Sequence, residues 1–78
     1  MNFEEIFEKV KEIIVEELDV NPDDVTLESN LEDDFGADSL DAIELIISLE
    51  DAFDIEIPDE AAMEFRTVKQ LVDYIASL

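Results

Sequence analysis

Ser39 is the residue best placed for covalent chemistry. It follows closely on Gly36, the one glycine in the chain, and stands where a new helical pattern begins. A serine in the first turn of a helix sits among unpaired backbone N–H groups and a partial positive charge, and both favour a phosphate there. Position alone leaves two readings open, a helix-capping serine or an anchor for a phosphate group. Nucleophilic catalysis is not expected. No histidine exists in the chain, no lysine neighbours Ser39, and the surrounding residues do not form a nucleophile elbow.

Carboxylates offer less. Pairs such as Asp23-Asp24 and Asp33-Asp34 arise by chance among 24 acids in 78 residues, so they do not single out an acid-base dyad. Calcium is tested directly by setting Gly36 as the sixth position of an EF-hand loop. Leu31, Asp33 and Phe35 then fall at positions one, three and five, and Ala42 at twelve. Two ligand positions are apolar and the bidentate glutamate is missing. No dedicated metal site is expected, only loose association of cations with an acidic surface. The absence of cysteine removes disulfides, thiolate nucleophiles and Cys-ligated zinc.

The charge narrows the partners. Four basic residues leave a net charge of −20, and from Glu12 to Phe65 there are 20 acids and no base. Nucleic acid and anionic lipid would both be repelled. An acidic N-terminus and the lack of any 18-residue apolar run argue against a signal peptide or a membrane span. The expectation is a soluble, monomeric, cytoplasmic protein. Leu, Ile, Val and Phe number 28 of 78, too many for a disordered acidic chain. One small domain should form, burying about 60% of its unfolded surface.

The elements that would hold Ser39 follow from periodicity. Phe3, Ile6, Phe7, Val10, Ile13, Ile14 and Leu18 recur at helical spacing on one buried face. Between Val20 and Asp38 the apolar residues Val25, Leu27, Leu31 and Phe35 are scattered, so this reads as a long loop pinned to the core. Gly36 marks a backbone position that needs positive φ or close approach. Asp38 is the expected N-cap of a helix over about Ser39 to Phe53, with Asp41 completing an acidic version of the capping box. Ile55-Glu56-Ile57 alternates like a strand but is too short to build a sheet. Pro58 precedes a short helix near Asp59 to Glu64. Thr67 with Gln70 caps a last helix carrying Val68, Leu71, Val72, Ile75 and Leu78. The fold class is all-α: a small four-helix bundle, three longer helices and one short, with a long loop between helices one and two.

The second helix is apolar on two sides. At about 100° per residue, Ala42, Leu45, Ile46, Leu49 and Phe53 make a core stripe. Leu40, Ile43 and Ile47 lie opposite, bordered by Glu44 and Asp51. Such a face is covered by the long loop or left as a partner site, and the acids beside it favour a partner.

These residues resemble a known family. Gly36-Ala37-Asp38-Ser39-Leu40-Asp41, followed by Glu44-Leu45, resembles the signature of acyl carrier proteins of dissociated (type II) fatty acid synthesis. The likeness extends through Ile55-Glu56-Ile57-Pro58-Asp59-Glu60, Thr67-Val68 and Asp73-Tyr74-Ile75. It implies a single acyl-carrier domain over residues 1–78 and no enzyme activity. It implies that Ser39 receives 4′-phosphopantetheine from coenzyme A, as a phosphodiester made by a phosphopantetheinyl transferase. The arm's thiol would carry growing acyl chains as thioesters, and the acyl chain would fold back between the helices. Partners would be the transferase, fatty acid synthesis enzymes with basic docking patches, and acyltransferases. Leu40, Ile43 and Ile47 would supply the apolar contact, and Asp38, Asp41, Glu44, Glu50 and Asp51 the charge. Related carriers serve polyketide and D-alanyl transfer pathways, and an acidic adaptor would use the same face without Ser39. Arg66 departs from the usual uncharged residue before Thr67, so the resemblance gives it no role.

Overall fold

The computed structural model describes residues 2–78. Helix α1 spans Phe3–Leu18, α2 Ser39–Phe53, α3 Asp59–Ala62 and α4 Val68–Ala76. A 3-10 turn over Pro22–Asp24 interrupts the long α1–α2 loop. Three capping boxes start the longer helices. Asn2 pairs with Glu5, Asp38 with Asp41, and Thr67 with Gln70, each side chain accepting from the other residue's backbone N–H. The two boxes expected for α2 and α4 are therefore present, and α2 has the expected bounds.

Helix α1 lies at the centre and packs against both α2 and α4. Val10 and Ile14 of α1, Leu45 and Leu49 of α2, and Val68, Leu71 and Val72 of α4 are fully buried. Val25 and Leu31 from the loop and Ile57 before α3 complete the core, with Leu27 and Phe35 packed at its edge. The loop is thus pinned as its apolar residues suggest. Its backbone is also tied to the start of α4. The N–H groups of Val68 and Lys69 donate to the carbonyls of Ser29 and Leu27, at 3.1 and 2.9 Å. Helix starts leave such donors without intrahelical partners, so the loop closes that end of α4.

Some expectations are corrected. Phe3 is 38% exposed, because the buried stripe of α1 begins one turn later at Ile6. Leu78 is exposed because α4 ends at Ala76. Phe53 is half-buried rather than central, and the Lys9 ammonium covers its ring at 5.5 Å. Helix α3 stops at Ala62. Arg66 Nη1 donates to the carbonyls of Met63 (2.7 Å) and Phe65 (3.2 Å), capping that end and giving this arginine a structural role.

Helices α1 and α2 both end on an aspartate in the left-handed region, Asp19 and Asp54, each with φ of 54°. Glycine or asparagine is usual there. Neither helix has a basic residue in its last turn.

Candidate functional site

Ser39 is the first helical residue of α2, and its side chain is exposed. The chain reaches it through a turn that ends at Gly36, with φ of 68°. A Cβ at Gly36 would meet no atom within 4 Å, so backbone conformation and not crowding is what requires glycine. Ala37 follows, buried, its N–H donating to the Leu31 carbonyl at 3.0 Å. Asp38 then caps the helix. Its Oδ1 accepts from the Asp41 N–H at 2.9 Å, and Asp41 Oδ2 accepts from the Asp38 N–H at 3.1 Å. The box occupies two of the donors that a helix start leaves unpaired, and the N–H groups of Ser39 and Leu40 remain free for a ligand.

Comparison with the other hydroxyls sets Ser39 apart. Ser29 is buried, and its Oγ contacts the Thr26 N–H, Thr26 Oγ1 and the Asp24 carbonyl. Ser48 donates to Glu17 Oε1 at 2.6 Å, and Ser77 to the Tyr74 carbonyl at 2.7 Å. Thr67 caps α4. Among the described serines and threonines, only Ser39 offers a hydroxyl with no internal partner. Its position is open to an incoming group, and no side chain accepts its proton in a hydrogen bond. The flanking carboxylates, Asp38 and Asp41, each use one oxygen to accept from a backbone N–H.

Downstream of Ser39, α2 presents the second apolar face to solvent. Leu40, Ile43 and Ile47 are 62%, 57% and 58% exposed, so the long loop does not cover them. Glu44 and Asp51 are exposed beside them, and Asp41 is half-buried at the helix start. Glu50 borders the same face on its other side, about 20° round the helix from Ile43, and is half-buried. Its Oε2 accepts from the Ile57 N–H at 2.9 Å, so this carboxylate holds the α2–α3 connection. Sequence reasoning gave no sign of that contact, since any of several acids could have made it. Among the described residues no three acids converge on a possible metal position, and no helix is long and apolar enough to cross a membrane.

A family described as a phosphopantetheine attachment site matches residues 8–75. This chain belongs to that family. Its members bear 4′-phosphopantetheine covalently and carry cargo without catalysing a reaction. The fold is also similar to the solved structure of an acyl carrier protein from Enterococcus faecalis. The two share 44% identity with a TM-score of 0.81, over 99% of this chain and 98% of that one. The present protein is thus a carrier of the acyl type, and its four helices are those of that fold. Its residues suit the prosthetic group: an exposed primary hydroxyl is what a phosphodiester needs, and two free N–H groups beside it can receive phosphate oxygens.

Proposed function

We propose that Ser39 carries the 4′-phosphopantetheine arm. The carrier, one domain over residues 1–78, would then hold growing acyl chains as thioesters for enzymes of fatty acid biosynthesis in the cytoplasm. The observation that carries this reading is the pairing of the free, exposed Ser39 hydroxyl with an uncovered apolar face beginning at the next residue. When bound, the group supplies the thiol that this cysteine-free chain lacks.

The chain's own residues do three things. Asp38 and Asp41 hold the first turn of α2 so that Ser39 projects outward. Leu40, Ile43 and Ile47 offer apolar contact to whichever enzyme docks, and Asp38, Asp41, Glu44, Glu50 and Asp51 surround that contact with negative charge. A phosphopantetheinyl transferase, acyltransferases and fatty acid synthesis enzymes with basic patches fit this surface. Such charge acts mainly on the rate of association and fades with salt. The transferase is expected to supply the base for Ser39, because the carrier has no histidine and the Ser39 hydroxyl has no internal acceptor.

Intact mass after incubation with coenzyme A and a broad-specificity transferase tests the proposal. The expected result is a gain of one phosphopantetheinyl group that Ser39→Ala abolishes. No gain, under conditions that modify a control carrier, would sink it.

A further inference from the structure

The Ser39 side chain is exposed and makes no hydrogen bond to the rest of the protein, so its placement depends on the backbone around it. That backbone is a turn closed at both ends. Asn30 Oδ1 accepts from the N–H groups of Glu32 and Asp33, both at 2.9 Å, and Asp34 Oδ2 accepts in return from the Asn30 N–H at 2.6 Å. The Asp34 N–H donates to the Asn30 carbonyl, and at the far end the Gly36 N–H donates to that of Glu32, both at 2.9 Å. The Ala37 N–H then donates to the carbonyl of Leu31. The turn is fixed to the rest of the molecule on its other side. The Leu31 N–H donates to the Arg66 carbonyl at 2.9 Å, and Asn30 pairs with Thr67 in a single antiparallel bridge. Leu31 and Ala37 are both buried. One residue, Asp38, separates Ala37 from Ser39.

The Asp38–Asp41 box ties α2 only to itself. Farther along, α2 is held by its buried residues Leu45, Ile46 and Leu49. At the Ser39 end, the link to the remainder of the fold runs from the α3–α4 junction through Leu31 to Ala37, and the Asn30 side chain keeps the turn between them in shape. We infer that Asn30 is a positioning residue for Ser39, acting through this turn. The inference rests on Ser39 being the modified residue. It assigns a function to the second half of the long loop, and it places that function away from the docking face of α2.

The test compares the wild-type carrier with Asn30→Ala, Asn30→Ser and Ile47→Ala in steady-state modification by the transferase. Folded fraction is measured by circular dichroism at the assay temperature. Asn30→Ala should lower kcat about tenfold, less than the roughly hundredfold that a 1 Å misplacement can cost. Its KM for the carrier should stay within about twofold, because the docking residues are untouched. Asn30→Ser, which keeps an acceptor oxygen, should recover most of the rate, and Ile47→Ala should raise KM instead. A kcat within about twofold of wild type in folded Asn30→Ala overturns the inference, as does a loss that merely follows the unfolded fraction. Amide exchange supplies a readout independent of modification. Loss of protection in Asn30→Ala that extends to the Ala37 and Asp41 N–H groups supports the relay, and loss confined to residues 30–34 overturns it. A wild-type carrier that is never modified would count against Ser39 as the attachment point, and the exchange result would still decide the relay.

Discussion

Replacing Asp54 by asparagine should stabilise the protein at low salt. Asp54 closes α2 in the left-handed region, with φ of 54° and ψ of 52°, and its N–H donates to the Glu50 carbonyl. Asparagine adopts that conformation at least as readily, so the substitution leaves the cap geometry alone and removes one negative charge. That charge sits at the negative end of the helix macrodipole, with Glu50 and Asp51 in the same turn and no basic residue within that turn. A single charge at a helix end is worth about 0.3–1 kcal/mol at low ionic strength. In a domain of this size each kcal/mol moves Tm by about 4–8 °C, so a gain of about 1–8 °C is expected. Asp19→Asn at the end of α1 should behave alike, since Glu16 and Glu17 crowd that end too. The assay is thermal unfolding of wild type and both variants, in low salt and in 0.5 M NaCl. Screening shortens the reach of charge from about 10 Å at 0.1 M to about 3 Å at 1 M, so the gain should shrink in high salt. A gain that is equal in both salts would refute the electrostatic reasoning and assign the effect to backbone conformation.

Other predictions follow from the same geometry. Leu49 is fully buried, so Leu49→Ala should cost about 2–5 kcal/mol, whereas Ile47→Ala should leave Tm nearly unchanged and weaken docking to the transferase; unfolding of Ile47→Ala would place that residue in the core. Asp38→Ala should cost about 1 kcal/mol and slow modification, while Asp38→Asn should keep the cap; normal stability and kinetics in Asp38→Ala would remove it from both roles. The wild-type Tm should rise with NaCl and rise further with millimolar Mg²⁺, because the one salt bridge among the described residues, Lys69 to Asp73 at 3.1 Å, offsets little of the acidic repulsion. A melting curve indifferent to salt would contradict this.

Much of the architecture was legible because it rests on local rules. Asp38 with Asp41, and Thr67 with Gln70, mark helix starts through contacts three residues apart, and the structure shows both boxes. The exposed stripe of Leu40, Ile43 and Ile47 follows from helical periodicity, as does the buried one opposite. The parts that escaped depend on choices among many equivalent acids or on distant backbone. Asp19 and Asp54 adopt a conformation normally signalled by glycine, so the composition concealed it. Glu50 looked like its neighbours until the path of the α2–α3 connection brought the Ile57 N–H to it. Asn30 and Asp34 form a reciprocal pair four residues apart, and that spacing was the available signal for an ordered turn inside the loop. Arg66 could be understood only once the end of α3 lay beside it.

The central claim is that Ser39 bears an arm on which acyl chains ride. One intact-mass series on the modified carrier tests it most directly, after enzymatic loading with a fatty acyl group and again after neutral hydroxylamine. The expected result is an added acyl mass that hydroxylamine removes, as for a thioester, leaving the phosphopantetheinyl mass, which peptide mapping places on Ser39. Neither addition should occur in Ser39→Ala. Loading of Ser39→Ala, or an acyl group on wild type that resists hydroxylamine, would rule out a thioester-bearing arm on Ser39.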